Sequence, residues 1–486
     1  MAHDLQLLFA ALFLGVVALP LIALHRLRSP LNRIPGPWYA RWTSIPLKVA
    51  TLSGRRIYHV HALHARYGSY VRVAPGEIAV NDAASFKKIH RVGSPFEKST
   101  WYRDLLSIGR PILFTMVDQH AHAARRRLFA KAFSKSHIRA NWEAVVSEKI
   151  ALAIFGMAGE ATTNISVDIL QWWTWMASDV SAHLMFGESF HTLEGSGATE
   201  YLDRLQTGLI GMGIGAEMPL VRALGRSLPF PVTQRLFAVN EFLLKYAKTA
   251  MQRMKNSGAE RNIFAAILSE AEAGEKIDEP RRLMIAGTDT TAITLTYLIW
   301  AVLSQDTLRQ NLRAELGSVP ESVLDADLGT LPLLNAAIEE TLRMYGALPG
   351  ALPRTVPAGG VEMDGYLLPR GTTVTTQSYS LHRDPELFPN PDRFEVSRWL
   401  DLNSGENKYR VTETAKAVFS PWGAGARTCL GVHIAYMELR LAAAAFFRAF
   451  PDAHLAASTT PKSMQMENHF LIRPVAHRCE VILYPA

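Results

Sequence analysis

One cysteine placed just ahead of a long apolar helix constrains this chain more than any other feature. The segment Trp422-Gly423-Ala424-Gly425-Ala426-Arg427-Thr428-Cys429-Leu430-Gly431 is a glycine-rich turn that delivers Cys429 to the start of the apolar run from Val432 to Phe450. Unpaired N–H groups and the macrodipole at a helix start stabilise an anion, and Arg427 stands two residues back, so the position favours a thiolate. Gly425 permits a turn that a Cβ would resist, and Gly431 lets the helix backbone approach a flat group closely. A thiolate so placed can ligate haem iron and push electron density into it, which favours O–O cleavage. The plain alternative for a lone cysteine is an inert buried thiol. That reading suits Cys479, in the apolar tail Cys479 to Leu483, whereas the spacing aromatic-x-x-Gly-x-Arg-x-Cys-x-Gly sets Cys429 apart.

The run resembles the cysteine-ligand signature of the cytochrome P450 superfamily, with Trp422 where phenylalanine is usual. The resemblance implies haem b (iron protoporphyrin IX) with Cys429 as metal ligand, Arg427 as a propionate partner, and Trp422, Gly425 and Gly431 as cofactor-binding loop residues. Further family marks follow in order. Ile338 to Arg343 reads as a Glu-x-x-Arg helix with Glu340 and Arg343 on one face. Phe388-Pro389-Asn390-Pro391-Asp392-Arg393-Phe394 looks like the segment whose arginine, here Arg393, completes a structural triad with them. Ala286-Gly287-Thr288-Asp289-Thr290-Thr291, inside the apolar stretch Leu283 to Leu303, matches the oxygen-side pattern. Read as residues alone, Thr290 and Thr291 bond back to carbonyls one turn earlier. The resemblance implies instead that Gly287 leaves room over the iron and that Asp289 and Thr290 are catalytic, relaying protons to oxygen. It also makes Arg126 and Arg354 propionate partners, although each alone reads as a surface charge. His122 stands where the family has tryptophan.

Leu5 to Leu24 is apolar except for Gln6, long enough to cross a hydrocarbon core of ~30 Å. Arg26, Arg28, Arg33 and Arg41 follow it and no Lys or Arg precedes it, which keeps the rest of the chain cytoplasmic. The competing reading, a cleaved secretory signal, calls for a basic start and a shorter apolar run. The expected organisation is a single-pass anchor over 1–28, a basic and proline-rich hinge over 29–37 containing Pro35-Gly36-Pro37, and one catalytic domain over 38–486. Such an anchor resembles those of the endoplasmic reticulum. Two cysteines exclude a disulfide framework. A net charge of +7 raises the question of nucleic acid, but the basic residues are scattered and no nucleic-acid motif is present, so no nucleic acid is expected as partner. Anionic lipid accounts for the basic residues near the anchor, and the resemblance implies an acidic electron donor for others.

Periodicity predicts a mainly α fold with small β-sheets. The hairpin Tyr70–Ala74/Glu77–Val80, strands near Val361–Tyr366 and Thr372–Thr375, and a β tail from Phe470 are expected. Helices are expected over Trp142–Phe155, Ser166–Phe186, Glu241–Met254, Asp306–Leu316 and Asn335–Tyr345. Proline suits the first turn of a helix, so the distal helix should begin at Pro280, leaving a segment shorter than the family's between Asn262 and Ala286. The function implied by the resemblance is a monooxygenase that puts one atom of O2 into a small lipophilic substrate. Electrons would come from NADPH through cytochrome P450 reductase. Fungal secondary metabolism, with a terpenoid, polyketide or alkaloid skeleton as substrate, is the closest likeness. A haem-thiolate isomerase or dehydratase, and a haem-binding protein without turnover, are the alternatives. Pocket residues are expected from Trp101–Phe114, Ile285–Thr290, Leu348–Leu352 and Met464–Phe470.

Overall fold

The computed structural model describes residues 19–105, 111–195, 199–228, 230–237, 280–400 and 411–484, with positions 6, 13, 15, 262 and 263. The helices that matter here are α1 (Ile45–Leu52), α2 (Arg56–Tyr67), α3 (Gln119–Ala130), α4 (Lys135–Ala161), α5 (Ile169–Phe186), α6 (Thr199–Glu217), α7 (Pro219–Ser227), α8 (Pro280–Leu303), α9 (Pro332–Tyr345) and α10 (Val432–Ala449). Their ends follow local chemistry. Asp118 caps α3 by accepting the Ala121 N–H at 2.6 Å, Ser134 caps α4 through the His137 N–H at 3.3 Å, and Asp168 caps α5 through the Leu170 N–H at 3.1 Å. Gly187 ends α5 at φ 77°, a left-handed conformation that glycine adopts without strain. The described part of the distal helix, α8, runs from Pro280, and the residues just before it lie outside the described ones.

The centre of the core is the packing of α8 against α5, with α4, α9 and α10 closing around them. Trp173 of α5, Leu298 of α8 and Met437 of α10 are all completely buried there. Truncating a large core aromatic such as Trp173 typically costs ~3–5 kcal/mol. Gly287 serves this packing: a Cβ on it would lie 2.5 Å from Ser181 Oγ of α5. This corrects the expectation that Gly287 leaves room over an iron, since the space it spares belongs to the neighbouring helix.

A five-stranded sheet forms the other layer, in the order Tyr70–Ala74, Glu77–Val80, Thr373–Thr375, Arg354–Thr355, Glu97–Lys98. The expected hairpin pairs Tyr70 with Val80 and Arg72 with Ile78. At the far edge the antiparallel register sets Lys98 directly opposite Arg354. The anticipated helices over 142–155, 306–316 and 335–345 fall inside observed ones, while Glu241–Met254 lies outside the described residues. Ser166–Phe186 needs correction at its start, because Val167–Asp168 is a strand paired with Glu480–Val481. Among the described residues no helix is long and apolar enough to cross a membrane. The expected span, residues 5–24, falls mostly outside them.

Candidate functional site

The turn before α10 is built as its glycines require. Gly423 has φ 72° and Gly425 φ 61°. A Cβ on Gly425 would also stand 1.9 Å from the His90 carbonyl oxygen, so both backbone conformation and close approach demand glycine there. The Cys429 N–H donates to the Trp422 carbonyl at 2.7 Å and closes the loop. Trp422 packs on Tyr436 with ring centroids 5.1 Å apart and donates its indole N–H to the Tyr436 hydroxyl at 3.1 Å. The Tyr436 hydroxyl in turn donates to Glu339 Oε1 at 2.9 Å, and burial pushes the Glu339 carboxyl up to about 7.

Cys429 combines two properties. Its side chain is accessible, yet enough protein surrounds it that burial pushes the thiol's pKa up, with the Gly431 N–H and the Arg126 charge pulling it back. Both properties suit a group on the wall of a deep cleft. The cation facing the sulfur is therefore Arg126 of α3, whose guanidinium also donates to the Thr428 carbonyl at 2.8 Å. Arg427 does not supply that charge: its guanidinium turns to the carbonyls of Met116 (2.8 Å) and Val117 (3.0 Å). Gly431 caps α10 and, although its N–H serves the sulfur, a Cβ there would meet only Ile434 at an ordinary 3.5 Å.

Lys98, His122, Arg126, Arg354 and Arg427 form a basic cluster around this cleft. Burial, aided by Arg427, Lys98 and Arg126, drives His122 down to about 3. Lys98 is pushed well below the usual lysine range by burial and by Arg354 and Arg427. Burial and Arg354 bring Arg427 down to about 10. Arg354 is 5% exposed and, among the described residues, donates only to Tyr102 Oη (3.3 Å) and its neighbour's carbonyl. Among the described residues no carboxylate lies within ion-pair distance of any of the five. Like charges directly opposite on paired strands destabilise, and buried charge without a counter-charge is costly. The cluster thus has the donor set for a group carrying two carboxylates, as haem does in its propionates. Lys98 escaped the sequence reading: nothing in its local spacing marks it, and only the register against Arg354 reveals it.

On the facing helix, Thr290 donates to the Ala286 carbonyl at 2.6 Å, the back-bond expected from the residues alone, but Thr291 donates to Glu438 Oε2 of α10 at 3.0 Å. Asp289 is 4% exposed, and its Oδ2 has no hydrogen-bond partner among the described residues. Burial raises its pKa to about 6, with Arg473 opposing.

Glu340 and Arg343 form a buried fork, Nε to Oε2 and Nη2 to Oε1 both at 2.8 Å. The third arginine is Arg398, not Arg393. Arg398 Nε donates to Glu340 Oε1 at 2.9 Å, joined by the Trp399 indole at 2.8 Å and the Glu395 N–H at 2.9 Å. Arg393 is exposed and, among the described residues, contributes to the triad only its carbonyl, which accepts from Arg343 at 3.2 Å and from Arg398 at 3.4 Å. The chain turns between the two, which carries the Arg393 side chain outward and brings that of Arg398 in.

A cavity of about 390 Å³ is lined by Trp101, Phe114, Leu348, Leu352 and Phe470 among others, from three of the four expected pocket segments. The fourth does not line it; Asp289 borders a separate cavity of about 30 Å³ with Ile293, Phe470 and Arg473.

Comparison with known proteins agrees with this geometry. Residues 35–481 match the family described as Cytochrome P450. The chain is 37% identical to the cytochrome P450 monooxygenase aflV of Aspergillus parasiticus, over 94% of this chain and 92% of that one. It is 36% identical to the cytochrome P450 monooxygenase tazI of Aspergillus terreus, over 96% of each. A methylphloroacetophenone oxidase of Cladonia uncialis is 32% identical over 75% of this chain and 85% of its own. The chain therefore belongs to the cytochrome P450 family, the haem b oxidoreductases, and within it is similar to fungal monooxygenases of secondary metabolism.

Proposed function

We propose that Cys429 is the axial ligand of the haem in a monooxygenase that adds one oxygen atom to a lipophilic product of secondary metabolism. The observation that carries the assignment is the Cys429 sulfur, accessible yet surrounded by protein, with the Gly431 N–H and the Arg126 charge upon it. Bound there, haem supplies the redox chemistry that activates O2, with a thiolate ligand favouring O–O cleavage. Lys98, Arg126, Arg354 and Arg427, with neutral His122, would receive the propionates as charge-assisted partners. Trp422 and Gly425 fix the loop that carries the ligand. Glu340, Arg343 and Arg398 brace that loop's surroundings and take no part in chemistry. On the oxygen side, Asp289 can hold a proton at its unpartnered Oδ2, and Thr290 is the neighbouring hydroxyl that would hand it on.

Electrons would come from NADPH through cytochrome P450 reductase. Residues 1–28 as anchor, 29–37 as hinge and 38–486 as one catalytic domain fit attachment to the endoplasmic reticulum by a single pass. The hinge is tied to the sheet, since the Arg72 N–H donates to the Pro35 carbonyl at 2.8 Å. Two apolar faces beside α6 support contact with lipid: Ile45 (64% exposed) and Val49 (56%) on α1, and Leu220 (80%) and Leu224 (67%) on α7. The ferrous carbon monoxide complex should show the red-shifted Soret band of thiolate ligation, lost in Cys429→Ala and retained in Cys479→Ala. Retention of the band in Cys429→Ala would overturn the assignment.

A further inference from the structure

The 390 Å³ cavity is not uniformly apolar. Trp101, Phe114 and Phe470 give it aromatic walls, while Arg56, Glu77 and Glu217 form a polar pole. The pole is short of cations. One guanidinium, that of Arg56, serves both carboxylates, with Nη2 2.8 Å from Glu77 Oε1 and Nη1 3.0 Å from Glu217 Oε1. These three side chains are only 10%, 19% and 15% exposed. The Trp101 indole also donates to Glu217 Oε1, at 2.9 Å. Oε1 therefore takes both polar contacts that described residues make to Glu217, and none of them donates to its Oε2. A second polar group stands in the same wall without a hydrogen-bond partner among the described residues: Ser99 Oγ, on a residue 4% exposed. A buried hydroxyl with no partner costs free energy, and two largely buried carboxylates sharing one cation leave one negative charge unbalanced.

We propose that this cavity takes an aromatic substrate bearing phenolic hydroxyls, and that Glu217 and Ser99 are specificity residues that receive those hydroxyls. The inference rests on the monooxygenase reading above and narrows its substrate class. Flat aromatic walls suit a flat ring, and a hydroxyl donating to a carboxylate makes a short, charge-assisted bond. A cationic amine would satisfy the carboxylates too, but it would enter against the Arg56 guanidinium at the centre of the pole, whereas a phenol brings its donor without charge. A cavity of this volume falls within the range of small-molecule sites, ~300–1,000 Å³.

The test compares 2,7-dihydroxynaphthalene with its dimethyl ether by calorimetry on the full-length haem protein in detergent, with the thiolate band recorded on each sample. In a merely apolar cavity the ether binds more tightly, because its two methyl groups add apolar surface. The proposal expects the reverse order, with the diol favoured at least ~10-fold, the discrimination a hydrogen-bonding pocket exerts against an analogue that leaves it unpaired. Glu217→Gln retains an oxygen for the Trp101 indole and should reduce that preference to within ~3-fold, less than one decade of affinity, with the thiolate band retained. Ser99→Ala should fall between. A parent protein that prefers the ether or binds neither probe, or an unchanged ratio in Glu217→Gln, would sink the proposal. Loss of the thiolate band with the diol preference intact would instead remove the monooxygenase reading and leave the phenol site standing.

Discussion

Exchanging Arg398 and Arg393 for alanine in separate variants tests which arginine braces the site. Arg398 has a side chain 9% exposed and donates to a Glu340 carboxylate that is itself completely buried. Removing it leaves Glu340 with Arg343 alone and opens a gap beside the Trp399 indole. Breaking a buried ion pair typically costs ~3–5 kcal/mol, against a total stability of ~5–15 kcal/mol for a domain. The Arg398→Ala variant should therefore unfold at a clearly lower temperature and be recovered with little haem. Arg393→Ala should be within ~0.5 kcal/mol of the parent, as for most surface substitutions, because its carbonyl, the only group it contributes, remains. Arg398→Lys should lie between, since lysine keeps the charge but not the planar fork. Thermal unfolding and the haem-to-protein ratio of parallel preparations give the answer. Normal stability in Arg398→Ala with loss in Arg393→Ala would refute the reasoning outright.

Two pH effects follow from buried carboxyls. Asp289, raised to about 6 by burial, is protonated below that pH and ionised above it, so the yield of oxygenated product per NADPH should change with a midpoint near pH 6. That midpoint should be absent in Asp289→Asn, with hydrogen peroxide rising in its place; a profile with the same midpoint in the variant would rule Asp289 out. Glu438 is raised from 4.5 to about 8 by burial, with only Thr291 donating to it. The folded protein thus binds the extra proton, and stability declines as pH rises from 4.5 through about 8. Glu438→Gln mimics the protonated acid, so it should match the parent near pH 4.5 and surpass it progressively toward pH 8; a parallel offset at all pH values would count against the burial effect.

Much of the candidate site was legible because its parts are local. The turn around Cys429 and the Glu340/Arg343 pair on one helical face each carry their meaning within a few residues. What misled depends on the path of the chain between elements. Arg393 and Arg398 sit five apart in one irregular segment, and which side chain turns inward is decided by the hydrogen bonds Glu340 offers, not by spacing. Arg427 is nearest Cys429 in sequence, yet the facing charge comes from α3. Lys98 becomes visible only through its strand register, and Gly287 only through its contact with Ser181.

The contact between Gly425 and the His90 carbonyl bears on when the haem cleft can come into being. Arg126 reaches Thr428 across 302 residues of sequence, and Arg427 reaches Met116 across 311. Contacts of such high order form late and slowly, after loop closure has been achieved. On a ribosome the first four hundred residues emerge with the basic cluster incomplete and the thiol not yet made. On the proposed assignment, cofactor capture waits until the Cys429 loop has been made and has closed onto α3.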